Sequence, residues 1–216
     1  MSVKQATRYL CLAALPCLAA TAARAQGFGL DVEAGYRTLA ATKSATAIFG
    51  SDGGTTFGGS AQYAFGNGIF VRAGARTFSE QGERVFLADA SSTPYPLGFP
   101  LEVKITSIDV LAGWRLRLGS GRKPSRFVPY AAIGVEFASY EEESTVAGLV
   151  ETNDASKTGF QGVVGLEARV IKGLCISAEG GYSTVSSALG VGGVSKIYGE
   201  DDIGGFRVVG RLGYRF

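Results

Sequence analysis

From Phe206 to Phe216 the chain alternates with a period of two. Phe206, Val208, Gly210, Leu212, Tyr214 and Phe216 share one parity, and Arg207, Arg211 and Arg215 fall on the other. A period of two makes a β-strand with one apolar and one charged face. With no polar tail behind it, an open strand of this kind would be a sticking hazard in water. In lipid an open edge is excluded outright, because no water is present to satisfy its backbone. Closing the sheet into a barrel removes the edge, so this strand alone points to a transmembrane β-barrel.

The same alternation recurs in stretches near Phe28–Leu39, Thr55–Gly66, Ile69–Ser79, Leu101–Leu118, Phe127–Tyr140, Thr158–Ile171, Leu174–Val185 and Gly205–Phe216. In the first, Phe28, Leu30, Val32, Ala34 and Tyr36 oppose Asp31, Glu33 and Arg37; in the fourth, Ile108, Val110, Ala112, Trp114 and Leu116 oppose Asp109, Arg115 and Arg117. The connections alternate. Residues 40–54, 80–100, 141–157 and 186–204 read as long, polar, glycine-rich loops. Gly66-Asn67-Gly68 and Lys172-Gly173 read as tight hairpins, with Gly119–Arg126 of middle length. Outer-membrane barrels place short turns and both termini in the periplasm and long loops outside. The expected fold is therefore all-β: a closed antiparallel up-and-down transmembrane β-barrel of eight strands in the outer membrane.

Residues 1–25 read as a secretory signal peptide. Lys4 and Arg8 form its positive start, Tyr9 to Ala20 its apolar stretch, and Ala23-Arg24-Ala25 a cleavage site that leaves Gln26 first. A retained membrane helix is disfavoured by the short run and by Pro16, and a lipoprotein reading of Cys17 by Pro16 before it. The barrel domain is then 26–216, in which Cys175 is the lone cysteine and internal disulfides are excluded. Cys175 has no cation beside it in sequence to activate a thiolate and reads as a small filler.

Which face points inward follows from glycine and from energy. Each strand carries a glycine on its charged face (Gly35, Gly58, Gly74, Gly113, Gly134, Gly165, Gly181, Gly213). The narrow bore of an eight-strand barrel needs such small neighbours for long charged side chains. Arginine facing lipid at mid-membrane costs roughly 2–4 kcal/mol. The expected bore network is Asp31, Glu33, Asp109, Glu136, Glu167 and Glu179 with Arg37, Arg72, Arg76, Arg115, Arg117, Arg169, Arg207, Arg211 and Arg215. Every cation in it is arginine, whose planar fork suits partly buried carboxylate networks. A plug of mutually neutralising charges is favoured over an ion pathway with exchangeable pairs. Phe70, Phe78, Leu111, Val163 and Val209 break the alternation on the inward parity, where they read as filler near the barrel ends.

The long loops are acidic, including Glu141-Glu142-Glu143 and Glu200-Asp201-Asp202, and the short turns basic. Neither acidic run has EF-hand spacing, so solvated faces are favoured over calcium sites. An acidic exterior argues against nucleic acid. The apolar, proline-rich stretch from Ser92 to Pro100, with Phe86 and Leu87 before it, reads as folded over the rim or as a partner surface. Histidine is absent, which excludes Ser-His-Asp and Cys-His nucleophiles and imidazole zinc sites. No cofactor, metal site or catalytic residue is expected.

The chain resembles the small eight-stranded outer-membrane barrels: the OmpA transmembrane domain, OmpX and the opacity-type adhesins. The likeness rests on the signal peptide, Val128-Pro-Tyr-Ala-Ala-Ile-Gly-Val135, Gly165–Arg169 and Gly210-Arg-Leu-Gly-Tyr-Arg-Phe216, and spans residues 27–216. It does not extend to outer-membrane barrel enzymes, which rely on a histidine. The resemblance implies a non-enzymatic protein for adhesion, surface recognition or envelope integrity, acting as a monomer through extracellular loops. It also implies that Val208, Gly210, Leu212, Tyr214 and Phe216 form the signal read by the barrel-insertion machinery. The competing readings are a narrow solute channel and a secreted lipocalin-like barrel with its faces reversed.

Overall fold

The computed structural model describes residues 27–65, 68–116, 126–146, 149–189 and 193–216. The proposed signal peptide and its cleavage residues Ala23, Ala25 and Gln26 lie outside the described residues, as does Arg117. Eight strands form one closed antiparallel ring in sequence order: β1 (Phe28–Thr38), β2 (Gly53–Ala64), β3 (Ile69–Phe86), β4 (Tyr95–Arg115), β5 (Phe127–Val146), β6 (Leu149–Ile171), β7 (Leu174–Thr184) and β8 (Gly205–Arg215). The ring closes where β8 pairs with β1, from Gly29 opposite Arg215 to Arg37 opposite Arg207. Two helices, α1 (Thr42–Phe49) and α2 (Gly193–Tyr198), lie in the β1–β2 and β7–β8 connections.

The wall is apolar outward. Val32, Phe57, Trp114, Ile133, Phe160, Val164 and Leu212 are all exposed, while Glu33, Arg72, Asp109, Glu136 and Glu167 of the same barrel are buried in the bore. A lipocalin-like barrel would show the reverse, so the soluble alternative falls. Two girdles of exposed aromatics bound this wall. Tyr63, Phe65, Trp114, Phe127 and Tyr214 ring one end; Tyr36, Phe57, Phe137, Phe160, Tyr182 and Phe206 ring the other. On β5, Phe127 and Phe137 are ten residues apart. At about 3.3 Å per residue and a tilt near 45°, that spacing corresponds to roughly 25 Å of membrane.

Glycine sorts the faces. A Cβ on inward Gly74 would sit 2.6 Å from Asp109 Oδ1, and one on inward Gly113 would sit 2.7 Å from Phe70. On outward Gly162 and Gly180 the nearest atom would be 4.0 Å away. Space in the bore therefore requires glycine at these inward positions, whereas Gly162 and Gly180 face open room.

Beyond the second girdle the fold departs from expectation. The stretches 80–100 and 141–157 are mostly strand, not loop: β3–β4 pair from Ile69–Trp114 out to Phe86–Tyr95, and β5–β6 out to Val146–Leu149. The same parity stays inward along the whole strand, and only the chemistry of each face changes. In the membrane β4 carries Asp109 and Arg115 inward and Ile108 and Val110 outward. Above it Leu101, Val103 and Ile105 point inward and are buried, while Glu102, Lys104 and Thr106 face out. Lipid surrounds the lower part and water the upper, so the same alternation serves with opposite polarity. The other two long connections each contain a short helix, α1 and α2.

These upper side chains build an extracellular core of Leu39, Ala45, Phe78, Leu101, Val103, Ile105, Ala138, Tyr140, Val185, Ala188 and Ile203. A smaller cluster of Phe70, Leu111, Tyr130, Ala132 and Val163 fills the lower bore. Cys175 is buried and unpaired, so among the described residues no disulfide supports the ring. Around the membrane-spanning ring every strand is paired on both sides, so the folded barrel should resist mild detergent at room temperature. Unheated and boiled samples should migrate differently in a denaturing gel, equally with and without reductant. Identical mobility would mean the ring is not closed.

Candidate functional site: the charged bore and its extracellular cap

Alternate residues of every strand converge on the axis, and the bore is wired through them. At the β8 C-terminal end Arg215 Nη2 donates to Asp31 at 2.8 Å and to Glu167 at 2.7 Å. Arg115 pairs with Glu167 at 3.2 Å, and Gln62 donates to Asp31 at 3.0 Å. In the middle Arg72 grips Glu179 with both terminal nitrogens, at 2.6 and 3.0 Å, and Tyr130 donates its hydroxyl to the same carboxylate at 2.9 Å. Arg207 and Arg211 also approach Glu179, at 3.3 and 3.5 Å. Glu33 takes Arg76 at 3.0 Å and also Arg211. Above, Asp109 accepts from Arg76 and Gln161, Arg207 donates to Gln161 at 2.7 Å, and Arg37 reaches Glu136 at 3.4 Å.

Among the described arginines of the expected set, only Arg169 is not part of this interior. Arg117 lies outside the described residues. Arg169 is half exposed at the rim, 3.9 Å from Glu167. Arg169 keeps the inward parity, pairing in register with Cys175, and is exposed because β6 ends two residues further on, at Ile171. Conversely, Gln62, Gln161, Ser107 and Tyr130 belong to the network but carry no charge that would single them out. Their inward parity was the available signal. Phe78 caps the upper end as filler, whereas Leu111 and Val163 pack within the bore beside Tyr130 rather than at its rim.

On the extracellular side the upper core lies over the bore. Ile203 is fully buried in the upper core, and its carbonyl accepts from Arg37 Nη2 at 2.9 Å. The acidic run beside it is structural rather than free in solvent. Glu200 accepts from the Lys43 and Ser44 amides at 3.0 and 2.8 Å and from the Ser44 hydroxyl at 2.7 Å. It thereby caps the N-terminus of α1, whose own N-cap residue Ala41 has no side chain to do so. Asp202 accepts from the amides of Val185 and Gly204, both at 2.6 Å, and Asp201 from that of Ser187 at 3.3 Å. In the other run Glu142 points inward and accepts from Tyr140, while Glu141 and Glu143 stay exposed. Among the described residues no group of three or more His, Cys, Asp or Glu is placed to hold a metal ion.

A closed eight-strand ring with charges inside, a bare apolar wall outside and aromatic girdles at both ends defines an integral outer-membrane barrel. The chain matches the outer membrane protein beta-barrel domain over residues 10–216 and belongs to that family. Its fold is similar to that of Neisserial surface protein A, at 12% identity and a TM-score of 0.57, covering 88% of this chain and 97% of that one. It is also similar to a major outer membrane protein from Thermus thermophilus, at 14% identity and a TM-score of 0.57, covering 88% of this chain and 98% of that one. The outer membrane protein OprG from Pseudomonas aeruginosa matches at 15% identity and a TM-score of 0.55, over 89% of this chain and 97% of its own. No curated protein sequence matches the chain.

Proposed function

We propose that the protein is a non-catalytic, monomeric scaffold, plugged by its charge network, that presents its extracellular hairpins for surface contact or envelope integrity. The observation that carries the plug is the space left in the bore. Among Gln62, Phe70, Arg72, Arg115, Tyr130, Glu167, Arg211 and Arg215 the free volume is about 10 Å³, room for one water at most. Exposed Phe86, Tyr95 and Leu97 on one hairpin end and Leu149 and Val150 on the other support the contact role. In planar bilayers the purified barrel should show no steady conductance. Reproducible unitary steps would favour the narrow-conduit reading instead. A specific feature favours that second reading: Arg76 Nη1, Asp109 Oδ1 and Glu136 Oε2 are buried without hydrogen-bond partners among the described residues, which leaves room for ion pairs to exchange.

The assembly part of the proposal rests on β8. Val208, Leu212, Tyr214 and Phe216 face lipid, and Phe216 donates its amide to Phe28 at 2.9 Å with the two rings 5.6 Å apart. This residue therefore serves both the seam and the aromatic surface offered to the insertion machinery. Deleting Phe216 should lower the heat-modifiable fraction in outer membranes severalfold, whereas deleting exposed Ser91 should leave it unchanged. Equal yields would overturn the β8 signal.

A further inference from the structure

Above the membrane, between α1, the β7–β8 connection and the raised hairpins, lies a cleft of about 540 Å³, within the range that encloses small organic ligands. Its apolar lining includes Ile48, Leu101, Val85, Ala155, Leu189 and Val194. Three charged residues also line it: Arg84, Glu142 and Asp154. Arg84 is spoken for, since its Nη2 lies 2.6 Å from Glu151. Glu142 is not. Among the described residues its hydrogen-bond partner is the neutral Tyr140 hydroxyl at 2.7 Å, and no basic group there lies within ion-pair distance of Glu142 or Asp154. A half-buried carboxylate beside apolar walls lacks the countercharge that would offset its desolvation.

We infer that this cleft binds a small amphipathic cation, with an apolar body against Leu101, Ile48 and Leu189 and an ammonium group beside Glu142. An anion would meet two uncompensated carboxylates and an arginine already neutralised. A neutral apolar molecule would leave Glu142 without a countercharge. An ammonium donates charge-assisted hydrogen bonds to the carboxylate oxygens that Tyr140 leaves open. The acidic rim also concentrates cations at the entrance. The site is distinct from the bore, because the buried core beneath it separates the two, and it does not depend on what the hairpin tips touch.

The test uses the full barrel in phosphatidylcholine nanodiscs, titrated calorimetrically with 4-phenylbutylamine, 4-phenylbutan-1-ol and 4-phenylbutyrate against empty discs. The amine should bind saturably at one site, at least tenfold more tightly than the alcohol, with the carboxylate weakest. Glu142→Gln keeps an acceptor for Tyr140 while removing the charge, and should erase the preference for the amine. The heat-dependent gel shift verifies that the variant is folded. The ranking of the three probes on the unchanged protein needs no variant. Equal binding of all three, no saturable excess over empty discs, or an unaltered preference in folded Glu142→Gln would each overturn the assignment. None of these outcomes bears on conductance, so the plugged-barrel reading stands or falls separately.

Discussion

Glu179→Leu is expected to destabilise the barrel by about 3–5 kcal/mol, the cost of leaving buried charges without their partner. Glu179 is the most heavily shared carboxylate in the bore: Arg72 holds it with two hydrogen bonds, Tyr130 donates to it, and Arg207 and Arg211 approach it. Leucine would leave Arg72 without its carboxylate and take one carboxylate contact each from Arg207 and Arg211, which keep Gln161 and Glu33. Glu151→Ala breaks only the pair with Arg84, whose partners are 30% and 56% exposed, and should cost about 1 kcal/mol or less. Urea unfolding in phospholipid vesicles, followed by the fluorescence of the single tryptophan, Trp114, measures both. Adding Arg72→Met to Glu179→Leu should recover part of the loss by removing one stranded charge. Equal and small losses at positions 179 and 151 would mean that the bore is hydrated and the ion pairs are screened.

Ile133→Arg should cost about 2–4 kcal/mol, because Ile133 faces lipid midway between Phe127 and Phe137 on β5. The same substitution at Glu143, on the same strand and the same outward face but above the girdle, should change stability by about 0.5 kcal/mol or less. The contrast between two outward positions on one strand locates the membrane boundary by energy alone. If the two variants lose equal stability, the boundary is misplaced. If Ile133→Arg is harmless, the wall does not face lipid.

Much of this was legible in the sequence because a two-residue period records direction directly. The parity of Arg207, Arg211 and Arg215 against Val208, Leu212 and Tyr214 names both faces of β8. The same counting identifies Asp31, Glu33, Asp109, Glu136, Glu167 and Glu179 as inward, where they are found buried. Inward parity stops meaning burial at the ends of the strands. Arg169, two residues from the end of β6, is half exposed at the rim. Above the girdle the strands run on through 80–86, 95–100, 141–146 and 149–157, where no apolar outward face marks them, so a search for apolar-out strands stops too soon.

Strand number, order, the outward face and the arginine-rich interior were thus determined by the linear pattern, since each follows from local alternation and the cost of charge in lipid. The tertiary structure alone decided which carboxylate each arginine takes, because partners such as Arg215 and Asp31 or Arg211 and Glu33 meet only when the ring closes. It also decided that Glu200 caps α1 and that Glu142 is left facing a cleft without a countercharge. Those outcomes depend on contacts between segments far apart in the chain, and no period in the sequence records them.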